Sequence, residues 1–96
     1  MGFFDQMKQL TEMKQKMEDV KKRLDIIEVS SSSDYVKVIV NGNRRIKEIT
    51  ILKNDDKIAL EAHIKNAVNE AMEKADTLTQ TEFAAVTKGM FPGMPF

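Results

Sequence analysis

Between Asn54 and Gly89 the chain runs without a glycine or a proline. Over the same stretch Leu60, Ile64, Ala67, Val68, Ala71, Ala75 and Leu78 recur at steps of three and four. This pattern predicts a helix over 55–88. Asn54 or Asp55 would cap it, and Asp55-Asp56 would favour the positive end of its dipole. Thr77, Thr79, Thr81 and Thr87 weaken its last third. Such a helix is roughly 50 Å long at 1.5 Å per residue. A compact domain of similar size has a radius of gyration of only about 13 Å. With 96 residues in the whole chain, the helix must project beyond the rest of the domain. Its projecting apolar face then needs another surface, and a second copy of the chain is the simplest source.

The first third carries a second helical pattern. Phe3, Leu10, Met13, Met17, Val20, Leu24 and Ile27 follow a heptad, broken only at Gln6. They predict a helix over 3–24 with a narrow coiled-coil-like seam. Glu12–Lys16, Glu18–Lys22 and Asp19–Arg23 are acid-first i,i+4 pairs, each adding a few tenths of a kcal/mol.

Strand signals fill residues 26–52. Ile26-Ile27-Glu28-Val29 is short and β-branched, and Ser30 to Asp34 reads as a polar turn. Val36, Val38 and Val40 alternate with Lys37 and Ile39. Asn41-Gly42 is a hairpin signal, because both residues tolerate positive φ. Ile46, Ile49 and Ile51 break alternation once, which predicts a bulge between Ile46 and Ile49. The expectation is an α+β domain: a helix, a three-stranded antiparallel meander and a long helix (αβββα), with helices on one sheet face. Intertwined or side-by-side pairing of two copies would leave helical arms projecting.

Residues 89–96, Gly-Met-Phe-Pro-Gly-Met-Pro-Phe, are uncharged although 31% of the chain is charged. Gly89 reads as the helix stop. Phe91, Met94 and Phe96 read as anchors on the body or on a partner.

Several functions find no support in the sequence. There is no cysteine, hence no disulfide or thiolate metal site. No run is long enough for a membrane span, and no secretory signal is visible, so a cytoplasmic protein is expected. A single histidine, His63, and no phosphate-binding glycine loop or acidic metal cluster speak against an enzyme. No catalytic or metal residues, cofactor or small-molecule substrate are therefore expected. His63 reads as structural or solvent-facing, and Asp55-Asp56 as a helix cap rather than a cation site.

The chain resembles the YbaB/EbfC family of bacterial nucleoid-associated proteins. The matching residues are Val36-Lys37-Val38-Ile39-Val40-Asn41-Gly42 at the hairpin, Ile46-x-x-Ile49-x-Ile51 in the third strand, and Ala67-Val68-Asn69-Glu70-Ala71 in the long helix. Gly89-Met90, Pro92-Gly93 and Met94-Pro95-Phe96 close the pattern. The chain departs from it where a glycine-rich turn is replaced by Ser30–Asp34, and where the link before the last helix lacks proline. The resemblance implies a single domain over 1–96. It also implies a tweezer-shaped homodimer in the nucleoid that binds double-stranded DNA and alters its conformation.

Fifteen basic and fifteen acidic residues cancel, a weak match to a nucleic-acid binder taken globally. Locally, residues 1–53 hold eleven Lys/Arg against eight Asp/Glu, and residues 54–96 hold four against seven. The candidate phosphate contacts are therefore Lys14, Lys16, Lys21, Lys22 and Arg23 in the first helix, with Arg44, Arg45 and Lys47 after the hairpin. A solvated charged face is the competing reading. No aromatic residues interleave with these cations, and no helix-turn-helix or zinc-finger spacing appears, so little sequence preference is expected. Met13, Met17, Val20, Asn69, Phe91 and Phe96 are candidates for the dimer interface, Asn69 being equally readable as a surface amide. Met7, Met13, Met17 and Met72 suit helix seams. Neutral charge, methionines and the apolar tail also fit a non-enzymatic holdase that clamps protein segments between paired arms.

Overall fold

A computed structural model describes residues 3–90, with the side chains of residues 7–86. Helix α1 (Phe3–Ile26) leads into strands β1 (Glu28–Ser32), β2 (Val36–Asn41) and β3 (Ile46–Ile51), and helix α2 (Lys57–Met90) closes the order. The strands form an antiparallel meander with β2 in the centre. The expected αβββα architecture is present.

β2 shows the alternation that its sequence demands. Val36, Val38 and Val40 are fully buried beneath Ala67, Ala71 and Ala75 of α2. Three alanines on one helix face let the backbone of α2 approach the sheet closely, and Val29, Ile64, Val68 and Met72 fill the margins. Met72 thus packs on the sheet rather than in a helix–helix seam. The bulge also lies where alternation fails. Ile39 faces Glu48 and Val40 faces Ile46, so Lys47 is the extra residue in β3.

Element ends depart from the sequence reading for local reasons. α1 continues two residues past the expected end, to Ile26, whose side chain is exposed. β1 then starts at Glu28 and takes in Ser30, Ser31 and Ser32, which were expected to form a turn. These serines pair through their main chains with Ile39, Val38 and Lys37, and such pairing needs no apolar side chain. The turn shrinks to Ser33–Tyr35, closed by the Ser33 N–H donating to the Val36 carbonyl at 2.8 Å.

α2 begins at Lys57 instead of Asp55. Asp56 is its N-cap, with Oδ1 accepting the Ala59 N–H at 3.0 Å. At the other end the helix passes through Gly89 to Met90, so Gly89 is not the stop. A glycine costs a helix only about 1 kcal/mol. The expected anchors Phe91, Met94 and Phe96 lie outside the described residues.

The molecule is a rod of 68 × 24 × 15 Å, with a radius of gyration of 18.9 Å. Only α2 lies along the sheet. α1 meets the rest at the β2–β3 hairpin and along α2, where Arg23 bonds to Glu82. From the hairpin outward, the two helices form a projecting arm.

Candidate nucleic-acid interface

The joint between arm and sheet is the β2–β3 turn. Its backbone closes through the Asn41 N–H to the Arg45 carbonyl at 2.9 Å and the Arg44 N–H to the Asn41 carbonyl at 3.0 Å. The buried Asn41 side chain fixes it from inside. Its Oδ1 accepts the N–H groups of Asn43 and Arg45, each at 3.0 Å. Its Nδ2 donates to the carbonyl and to Oδ1 of Asp25, at 3.3 and 3.1 Å.

The same turn caps α1. Gly42 N–H donates to the carbonyls of Leu24 and Ile27 at 2.8 and 3.0 Å. Asn43 Nδ2 donates to the Lys21 carbonyl at 3.0 Å and to Asp25 Oδ1 at 3.2 Å. These donors satisfy carbonyls that a helix end leaves open. Thr79 Oγ1 of α2 donates to the Gly42 carbonyl at 2.9 Å, so both helices converge here.

The hairpin falls where Asn41-Gly42 predicted it, but for a different reason. The left-handed residue is Arg44, with φ 64°, and not Gly42. Gly42 is needed because of close approach: a Cβ there would lie 2.7 Å from Leu24 Cδ2 and 2.9 Å from the Leu24 carbonyl oxygen. A three-residue loop whose last residue is left-handed is a common hairpin closure.

This joint sets the placement of the candidate cations. The Asn43–Lys21 bond brings Lys21 and Lys22 of α1 beside Arg44 and Arg45 of the turn, and all four are exposed. Lys47 sits in the adjoining bulge. Lys14 and Lys16 lie farther out along the arm, Lys14 being roughly 10 Å from Lys21 along the helix. At 100° per residue, Lys14 and Lys21 flank one side of the apolar stripe and Lys16 and Arg23 the other. The eight cations therefore do not share one face.

Two of them are partly neutralised by α2. Arg23 pairs with Glu82, and Arg44 with Asp76 at 3.4 Å. Among the described residues, no salt bridge engages Lys14, Lys16, Lys21, Lys22, Arg45 or Lys47. The expected i,i+4 pair Asp19–Arg23 is replaced: Asp19 accepts from Gln15 Nε2 at 3.1 Å, and Arg23 reaches α2.

Of the expected interface residues, Val20 is buried within its own protomer, Met13 and Met17 are half-buried, and Asn69 is exposed. Phe91 and Phe96 lie outside the described residues. A different apolar surface stands open. Ile46, Ile49 and Ile51 pair with Val40, Val38 and Val36, and so share the sheet face that α2 covers. Yet they are 47%, 42% and 54% exposed, because α2 lies over β1 and β2. Their apolar character was visible in the sequence, but where α2 would lie across the sheet was not.

The far end of the sheet holds the aromatic and histidine side chains. Tyr35 stacks on His63 with ring centroids 4.5 Å apart, and His63 Nδ1 is 2.8 Å from Ser33 Oγ. Partial burial, then the Asp55 carboxylate, pushes the Tyr35 pKa above its ordinary value. His63 thus has a structural setting. Among the described residues, no group of three or more His, Asp or Glu could hold a metal ion, and no helix is long and apolar enough to cross a membrane.

Comparison with known proteins places this geometry in a family. The sequence profile of the YbaB/EbfC DNA-binding family matches residues 1–90. A nucleoid-associated protein of Flavobacterium johnsoniae is 35% identical, over 99% of this chain and 93% of the relative. Another, from Ruminiclostridium cellulolyticum, is 38% identical over 92% of this chain and 84% of its own. A third, from Acetivibrio thermocellus, is 37% identical over 91% and 84%. From its αβββα order to its family profile, the chain belongs to the YbaB/EbfC DNA-binding family.

Proposed function

We propose that the protein binds double-stranded DNA as a homodimer, with little sequence preference, and alters the conformation of the duplex in the nucleoid of the cytoplasm. The observation that carries this reading is the hydrogen-bonded joint that holds Lys21, Lys22, Arg44 and Arg45 together at the base of the arm. Lys14, Lys16, Arg23 and Lys47 extend the basic surface around it. Lys and Arg neutralise phosphates and release counterions, which gives affinity without base reading.

The open strip of Ile46, Ile49 and Ile51 on edge strand β3 supports pairing with a second copy, since an exposed strand edge beside apolar side chains invites association. Met13 and Met17 on the arm and Asn69 on α2 would add contacts of their own with the second copy. Two copies present two basic joints, and the second phosphate contact then forms at high effective concentration.

Titration of a duplex over a salt series, alongside a measurement of mass in solution, tests the proposal. Expected are a two-copy mass and binding that weakens steeply between low and moderate salt. A micromolar sample that shifts no duplex even at low salt rules the reading out.

A further inference from the structure

The long helix brings one carboxylate to the edge of the basic joint. Thr79 anchors α2 on the Gly42 carbonyl at 2.9 Å, and Asp76 stands three residues earlier, a neighbour on the same flank of the helix. Its Oδ1 thereby comes within 3.4 Å of Arg44 Nε. That separation exceeds the ordinary N–H···O range of about 2.7–3.2 Å, and the Arg44 and Asp76 side chains are 59% and 48% exposed. The pair is loose and open to a competing anion.

Glu82, farther along α2, makes a different kind of contact. Its side chain is only 21% exposed, and it accepts a hydrogen bond from Arg23 of α1. Glu82 thus ties the two helices together, whereas Asp76 reaches a turn that is already fixed. That turn is closed by its own main-chain bonds and by the Asn41 side chain. Arg44 also sits at φ 64°, where glycine would be free of strain. Neither its backbone nor its ion pair gives the fold a need for arginine here. What the position offers is a guanidinium fork shaped for phosphate, set beside Lys21, Lys22 and Arg45.

Given the duplex contact proposed for the joint, on which this role depends, we infer that Asp76 is a built-in competitor for phosphate. Its carboxylate holds the Arg44 guanidinium in the free protein and yields it when a duplex phosphate arrives. The exchange trades one anion for another at the same cation, so Arg44 adds little net attraction while Asp76 is present. The displaced carboxylate also repels the phosphates beside it. Asp76 thereby sets the affinity of the joint below what its four cations would give.

Titration of a mixed-sequence duplex with the full chain in about 0.1 M salt, where the Debye length is about 10 Å, tests this role. Asp76→Asn should tighten binding about threefold for one engaged joint and about tenfold for two. Glu61→Gln makes the same change of charge on α2 but lies roughly 22 Å away along the helix, and it should leave affinity unchanged. In an Arg44→Gln background the gain from Asp76→Asn should fall below half. Circular dichroism checks that each variant keeps the fold, and Asp76→Ser repeats the test with a second side chain. Wild-type binding that neither Asp76 variant tightens overturns the role of Asp76. An equal gain from Glu61→Gln, or a gain that keeps more than half its size without Arg44, overturns it too. A wild-type chain that shifts no duplex fails one step earlier and removes the duplex contact itself.

Discussion

At Arg44 the backbone conformation and the proposed duplex contact make opposite demands on one residue. Its φ of 64° places a long side chain in the left-handed region, which costs about 1 kcal/mol relative to glycine. The half-exposed ion pair with Asp76 returns only a few tenths of that. Arg44→Gly should therefore raise the free energy of unfolding by about 1 kcal/mol in urea titrations while weakening duplex binding. A variant that is both less stable and equally tight would show that Arg44 serves the fold and not the ligand. Tyr35 offers a second residue-scale test, because it is the only tyrosine and there is no tryptophan. Its raised pKa means that the phenol stays neutral in the folded chain after it would ionise in the unfolded one. The associated stability is thus complete below the ordinary value of 10.0 and is lost as pH rises above it. Phenolate absorbance should titrate above that value in the native protein, and Tyr35→Phe should remove this part of the alkaline loss in stability.

Among the elements, β3 is the one left incomplete. Ile49 lies directly opposite the buried Val38 but is 42% exposed. Ile49→Lys should leave the protomer folded, since the new charge can reach water, but should lower the solution mass from two copies to one. Sedimentation equilibrium reads the mass, and an unchanged dimer would move the interface to Met13 and Met17. The contrast between strands also explains what the sequence revealed. β2 was legible because both its inner face and its alternation are strong. Most of β1 was not, because three serines carry only main-chain pairing and Ser31 is buried merely by its position under α2. The helices were legible in length, which predicted a projecting arm. The cations were visible as residue types, but their grouping depends on the Asn43–Lys21 bond between distant segments. Likewise the demand on Gly42 comes from Leu24, eighteen positions away, and no local turn rule contains it.

At the scale of the whole molecule, a net charge of zero is compatible with duplex binding only if the charges are spatially sorted. The rod does sort them in part: cations of α1 and the hairpin gather at the joint, while Asp76 and Glu82 on α2 hold two of them back. If two copies grip one duplex symmetrically, each substitution removes two phosphate contacts rather than one. The logarithm of affinity falls with the logarithm of salt with a slope of about −0.9 per phosphate neutralised. Neutralising Lys21 alone should then flatten the slope by about 1.8 for a symmetric dimer, against about 0.9 for one engaged copy. Lys22→Gln and Arg45→Gln should each do the same, and Lys65→Gln on α2 should leave the slope unchanged. Slopes that shift by the single-copy amount would mean that the second joint stays free, and the dimer would then be placed to bridge two duplexes instead of clamping one.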